Sequence, residues 1–204
     1  MSDSPIKRAF VMIGISGSGK GTQISRLEQI IKTKDPETKH FKFYTGDRFR
    51  TFVTENSHSA SIARGINLAG GLQPSFIAIS FWSQALVDNL EGGEYVFFDG
   101  SPRSLSEAKA LDSVFRFYGV ERPDIIVLNV SPDEARRRML ARGRADDSPE
   151  AIEKRIEWFK RDVVPAIDFF KHDPYYCMHE IDGDKGIDDV HNEIIKSVIE
   201  KHYA

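Results

Sequence analysis

Residues Gly14-Ile15-Ser16-Gly17-Ser18-Gly19-Lys20-Gly21-Thr22-Gln23 sit directly behind the apolar run Ala9-Phe10-Val11-Met12-Ile13 and in front of a helical pattern, Ile24, Leu27, Ile30 and Ile31. This order predicts a buried strand, a glycine-rich turn and a helix. Such a turn brings several backbone N–H groups to one point with the positive end of the helix dipole behind them, a geometry that suits a polyphosphate. Gly14, Gly17 and Gly19 let oxygens approach the main chain, and Lys20 supplies a charge for the β and γ phosphates. A match to this spacing also arises in flexible loops, so the flanking strand and helix carry the reading.

The same rhythm continues along the chain. Four more apolar runs, residues 41–44, 95–98, 124–130 and 176–181, are each followed by a helical pattern. That alternation predicts an α/β fold with a parallel sheet covered by helices. Ser131-Pro132-Asp133-Glu134 offers a helix N-cap, a first-turn proline and a glutamate at the capping-box position, and Ser148-Pro149-Glu150 repeats the first two elements. Pro165 should interrupt or bend the helical run over 149–171. Ile187, Val190, Ile194, Val198 and Ile199 form one stripe on the last helix, read as core packing. Two stretches break the rhythm: a polar segment over 51–73 and an arginine-rich one over 136–147.

At 204 residues, with 40% apolar residues and a net charge of −3, the chain suits one domain with excursions and has no general pull toward nucleic acid. The lone Cys177 excludes an internal disulfide and reads as a small buried side chain. Residues 1–8 lack the apolar core of a signal peptide, and no stretch approaches a membrane span, so the cytoplasm is the expected compartment.

Asp99 closes the run 95–98. At the carboxyl end of a parallel strand it would lie beside the phosphate loop, where a carboxylate can hold Mg²⁺ through the ion's waters; an aspartate capping the turn before Gly100 is the plainer alternative. Arg103 would project from the same loop and grip a phosphate with its planar fork. Residues 136–144 contain five arginines. Arg138 and Arg142 share a helical face, while Gly143 ends the helix and leaves Arg144 on a loop. Arginines on a movable flap suit phosphoryl transfer, because donors can then be delivered once water is excluded. A solvated charged face or a nucleic-acid patch are the alternatives, the latter without the interleaved aromatics or basic charge it needs.

With these residues the chain resembles the adenylate kinases and their nucleoside monophosphate kinase relatives over nearly its whole length. Residues 14–23 look like their phosphate loop, Thr45-Gly46-Asp47-Arg48-Phe49-Arg50 like their acceptor motif, Asp99-Gly100-Ser101-Pro102-Arg103 like their Asp-Gly-Phe-Pro-Arg, and Arg142-Gly143-Arg144-Ala145-Asp146-Asp147 like a short lid. The resemblance implies a five-stranded P-loop fold with core segments 6–44, 75–141 and 149–204, an acceptor-binding insert at 45–74 and a lid at 142–148. It implies that Gly17, Ser18, Gly19, Lys20, Gly21 and Thr22 bind the phosphates of ATP, with Arg138 and Arg142 over the nucleotide, the main chain at Lys185 against its adenine, and Mg²⁺ at Asp99. Thr45, Arg50, Gly71, Leu72, Gln73, Gly100, Arg103, Glu107, Arg144 and Arg155 would take the acceptor. Lys20, Arg103, Arg138, Arg144 and Arg155 would be catalytic. The implied protein is a monomer that works on small nucleotides.

Three positions depart from the family pattern: Ser101 replaces an aromatic, Gln73 a frequent valine, and Glu107 a base-reading glutamine. An ionised glutamate only accepts hydrogen bonds and would face the adenine N1 lone pair, whereas guanine offers two adjacent donors. Alternatively, Glu107 points to solvent from the first turn of a helix, where a carboxylate opposes the dipole. Adenylate kinase (ATP + AMP to two ADP) is the first expectation; a guanylate or pyrimidine nucleoside monophosphate kinase, or a nucleotide-binding sensor without turnover, are the alternatives.

Overall fold

A computed structural model describes residues 4–200 of the chain. Residues 1–3 of the N-terminal stretch and 201–204 of the expected last core segment lie outside it. The chain alternates strands β1 (Arg8–Gly14), β2 (His40–Tyr44), β3 (Tyr95–Asp99), β4 (Asp124–Asn129) and β5 (Cys177–Asp182) with helices. All pair in parallel, in the order β2-β3-β1-β4-β5. The expected runs are therefore strands, with ends displaced by one or two residues.

Successive side chains of a strand point to opposite faces, and here both faces are buried. Ala9, Val11 and Ile13 of β1, with Val96 and Phe98 of β3 and Ile125 and Val127 of β4, enter one core. Phe10, Met12, Tyr95, Phe97, Ile126 and Leu128 enter the other. The first core is closed by α4 (Ser75–Asn89) through Trp82 and Leu86, by α5 (Leu105–Phe117) through Leu111 and Phe115, and by α8 (Val164–Lys171) through Phe170. The second is closed by α1 (Lys20–Lys34) through Ile24, Leu27 and Ile31 and by α9 (Ile187–Ile194) with the π-helical turns at Ile195–Glu200. Double-sided burial explains why the central strands read as continuous apolar runs without polar alternation.

The insert consists of α2 (Thr45–Phe52) and α3 (His58–Leu68), with a small core of Phe49, Phe52, Ala60 and Ala63 against Ile77 and Ala78 of α4. Beyond β4, α6 (Pro132–Arg142) packs on α7 (Pro149–Trp158) around Ala135, Met139, Ile152 and Ile156. The run expected to be interrupted or bent by Pro165 is interrupted just before it: a π-helical turn, Phe159–Val163, separates α7 from α8.

Two sequence expectations need correction. The Ser131 hydroxyl accepts from the Glu134 N–H, but the Ser131 N–H donates to Asp184 Oδ1 at 2.9 Å, so Glu134 does not complete a capping box and its carboxylate holds arginines instead. Val190, Ile194, Val198 and Ile199 are buried as expected, yet Ile187 is 63% exposed. The first turn of α9 opens onto a cleft at the carboxyl edge of the sheet. Cys177 is buried.

Candidate active site

The strand order reverses at β1, whose neighbours β3 and β4 lie on opposite sides, and a parallel sheet binds ligands at the carboxyl ends of the strands beside such a switch point. A cleft of about 810 Å³ lies there. Its floor is the loop between β1 and α1. Gly17 has φ 84° and Gly19 φ 90°, conformations that side chains disfavour. A Cβ on Gly17 would also come within 2.9 Å of Ala135 O, so the loop is pressed against α6. Helix α1 starts at Lys20 with no side-chain cap and no acidic residue in its first turn, which leaves its N–H groups available to an anion.

Lys20 Nζ donates to Gly14 O at 2.7 Å and Ile15 O at 2.9 Å, folded back along the loop. Burial brings its pKa down to about 8; Asp99 opposes that shift, and Arg103, Arg142 and Arg144 add to it. Asp99, at the end of β3, lies against the first turn of α1: its Oδ2 is 3.2 Å from where a Gly21 Cβ would stand. Burial pushes the Asp99 carboxyl up, opposed by Lys20 and Arg103. Arg103 Nε donates to Gly100 O at 2.6 Å, and the Ser101–Pro102 bond between them is cis.

The arginines converge on the same cleft. Arg138, Arg142, Arg144 and Arg155 line it opposite the phosphate loop, and Arg50 lines it from α2. Most are already held by acceptors. Arg138 donates to Glu134 Oε1 at 2.6 Å and to Gly183 O at 2.9 Å. Arg142 forks onto both oxygens of Asp147 at 2.7 and 2.9 Å, and Arg155 reaches Asp147 Oδ1 and Asp146 Oδ2 at 2.5 Å each. Burial pushes the Asp147 carboxyl up, but the Arg142 and Arg155 guanidiniums beside it hold it below its usual range. Arg50 pairs with Asp47. Arg144 donates no side-chain hydrogen bond among the described residues, and its main-chain N–H caps Asp147. The surface-face alternative for this arginine run applies only to Arg136 and Arg137, which pair with Asp133, Glu153 and Glu134.

A second hollow of about 500 Å³ adjoins the loop, lined by Gly17, Ser18, Gly19, Thr22, Arg138, Lys185 and Ile187. The resemblance assigned this region to the donor nucleotide.

On the acceptor side the expected residues divide into two groups. Gly71, Gln73, Gly100 and Arg103 reach the cleft wall. Thr45, Leu72 and Glu107 do not. Leu72 packs against the main core. Thr45 is fully buried and shares a 2.7 Å hydroxyl contact with Ser101. Glu107 is 1% exposed; its Oε2 accepts from the Arg103 N–H at 3.0 Å and the Ser101 hydroxyl at 3.4 Å. Projection of Glu107 into solvent is therefore excluded. Burial pushes its carboxyl up, opposed by the Arg103 N–H. Ser101 thus links Thr45 to Glu107.

Asp146 and Asp147 of the lid motif hold the Arg142 and Arg155 guanidiniums in place, a role whose sign in the sequence is carboxylates set among so many arginines. Asn67 carried no signal. It lines the cleft and meets Gln73 across the Gly70-Gly71 turn.

The protein-family description that matches this chain is "Adenylate kinase", over residues 12–174. Among proteins bearing that name, those of Leuconostoc mesenteroides and Thermus thermophilus are 32% and 31% identical to it, over 91% and 81% of this chain and 94% and 84% of their own. That of Oenococcus oeni is 29% identical over 95% of this chain and 98% of its own.

Proposed function

The chain belongs to the adenylate kinase family, and from that membership we infer that it is an ATP:AMP phosphotransferase forming two ADP. The observation that carries this reading at the level of chemistry is the convergence of Lys20, Asp99, Arg103, Arg144 and Arg155 on one cleft. Phosphoryl transfer through a loose transition state needs little covalent help; it needs donor and acceptor in line and fixed positive charge around the equatorial oxygens. Lys20 and the N–H groups of residues 17–22 would hold the donor's phosphates. Arg50 and Arg103 would hold the acceptor's phosphate, and Arg144 and Arg155 the group in flight. Transfer moves the terminal phosphoryl from the β-phosphate oxygen of ATP to a phosphate oxygen of AMP, with no enzyme-bound intermediate.

A magnesium ion fits this donor set. Asp99 is a half-buried carboxylate at the end of β3 on the cleft wall, an oxygen ligand of the kind the ion borrows. Bound with ATP, the ion would neutralise phosphate charge beside Lys20. The cleft is complete within one chain, which supports a monomer, and a single buried cysteine is in keeping with a cytoplasmic setting. No described helix is long and apolar enough to cross a membrane.

Coupled measurement of ADP from Mg-ATP with AMP, GMP, CMP, UMP and dTMP tests the proposal. AMP-dependent ADP formation is expected; turnover with another base alone would reassign the acceptor, and nucleotide binding with no turnover would make the protein a sensor.

A further inference from the structure

The chain's two tryptophans are used differently. Trp82 is buried edge-on to Phe98 in the main core, and its indole N–H finds no acceptor among the described residues. Trp158, at the end of α7, spends its N–H on Gly70 O at 3.2 Å, a partner 88 positions away in the sequence. A buried indole N–H ordinarily finds a partner, and this one belongs to the turn by which the chain leaves the insert. The same turn rests on α7 at a second point: Gly70 has φ 70°, and a Cβ there would come within 2.5 Å of Ala151 Cα and 2.7 Å of Ala151 O. No side chain fits between turn and helix, so main chain packs on main chain.

Trp158 also reaches the cleft. The residue is 8% exposed, lines the cleft wall and borders a small hollow shared with Lys20, Gly100 and Arg103. Arg155 stands three residues earlier on α7, a spacing that puts two side chains on one helical face, and it lines the same cleft. One helix therefore carries both the anchor of the turn and a guanidinium of the site. Past the turn, the Ser75 and Ser104 hydroxyls meet at 2.7 Å and tie the chain to the start of α5, next to Arg103. Gly71 and Gln73, both on the cleft wall, are thus strung between two fixed points, each beside an arginine of the cleft.

We propose that Trp158 is a positioning residue for the acceptor nucleotide: by holding Gly70 O it sets the wall over 71–73 at a fixed distance from the Arg155 guanidinium. The inference rests on the reading of this side of the cleft as the acceptor site. Contact between Trp158 and the base is not required. The indole acts through the turn, and without its N–H the turn can leave α7, so the apparent affinity for the acceptor falls with the fraction of molecules whose wall is in place. Helix α7 keeps its packing on α6 through Ile152 and Ile156, and Arg155 keeps its bond to Asp147. The donor half and the transfer step should therefore feel little.

The test compares the wild type with Trp158→Phe, which keeps an aromatic ring and removes the N–H, and with Gly70→Ala, whose methyl must push the turn off α7. In the unliganded proteins, amide hydrogen exchange over 69–73 should be about tenfold faster in both variants. With Mg-ATP as donor, KM for AMP should rise about 5- to 10-fold in Trp158→Phe, as expected when one buried hydrogen bond is lost and its acceptor left unpaired, while KM for ATP and kcat stay within about threefold. General loss of folding would lower kcat without that split. A folded Trp158→Phe overturns the proposal if its KM for AMP is that of the wild type, if KM for ATP rises equally, or if exchange over 69–73 is unchanged. If that variant does not fold, an unchanged KM for AMP in Gly70→Ala overturns it instead. Absence of AMP turnover in the wild type would overturn the acceptor reading, and this inference with it.

Discussion

The donor and acceptor halves of the cleft are built from different materials. On the proposed donor side the elements are largely main-chain, the N–H groups at an uncapped helix start, beside a lysine folded back on its own loop and an arginine held by the Gly183 carbonyl. On the proposed acceptor side they are side chains, Arg50, Arg103 and Gln73 on the wall, with Thr45, Ser101 and Glu107 hydrogen-bonded in series behind it. Main-chain recognition reads the charge and shape of a polyphosphate, which every triphosphate shares. Side-chain recognition can read a base. The comparison teaches that catalysis and specificity are separable here, and substitutions should separate them.

The largest effect should come from the donor half. Lys20→Ala is expected to lower kcat by a factor of about 10² to 10³, roughly 3 to 4 kcal/mol in the barrier, because one preorganised charge-stabilising contact is lost. Stability should change little by comparison. Desolvation in the cleft lowers the pKa of the lysine to about 8, so its charge does not favour folding at neutral pH. The sign can be checked: a lysine whose folded pKa lies below its unfolded value binds fewer protons when folded, so its contribution to stability improves as pH rises from about 8 to 10.5. Wild-type Tm should gain on Lys20→Ala over that window, and wild-type-like kcat in the variant would remove Lys20 from the reaction.

Next in size are the arginines that bridge the halves. Arg103→Lys, Arg144→Lys and Arg155→Lys should each lower kcat/KM by about 10- to 100-fold, because lysine keeps the charge and loses the planar fork. Doubles should cost less than the product of the singles if the three act on one group. Asp147→Asn tests the support behind them: with Arg142 and Arg155 less firmly aimed, kcat should fall by about tenfold while KM for ATP moves less. Near-normal kcat/KM in the three lysine variants would return these arginines to the surface.

Backbone rhythm and phosphate chemistry were legible in the sequence because they depend on local spacing. Five strands, the caps at Ser131 and Ser148, the break near Pro165 and the placing of Asp99 and Arg103 beside the phosphate loop follow from glycine placement, apolar period and residue type, while the gathering of Arg144 and Arg155 there is implied by the family resemblance alone. Pairings across long sequence distances were not legible. Nothing local says that Ser101 bridges Thr45 and Glu107, that Asp147 holds Arg142 and Arg155 together, or that Ile187 faces a cleft when its stripe is buried. Gly70-Gly71 and the Gly143 beside Arg144 would each suit a hinge by composition, yet a Cβ on Gly70 would meet Ala151 at 2.5–2.7 Å, and Trp158 Nε1 donates to Gly70 O at 3.2 Å. This end of the insert is pinned to α7. A bisubstrate analogue joining ATP to AMP should therefore slow hydrogen exchange more over 142–148, where nothing crowds Gly143, than over 69–73. Equal slowing in both segments would restore the double hinge.

The smallest effect should be that of Glu107→Gln, and it separates a residue on the cleft wall from one behind it. The Glu107 carboxylate accepts from the Arg103 N–H and the Ser101 hydroxyl, contacts an amide oxygen can keep. Burial raises its pKa, so the folded state binds more protons than the unfolded state above the ordinary glutamate range, and its contribution to stability falls as pH rises through that interval. Glutamine has no such loss. The variant's Tm should exceed wild type at neutral pH by an amount on the order of 2 °C, and the difference should close as pH falls toward 4.5. Its kcat/KM for AMP relative to GMP should change by less than about threefold. A large shift in the AMP-to-GMP ratio with no change in Tm would mean that Glu107 turns into the cleft when the acceptor binds, and that base reading is shared between α5 and the insert.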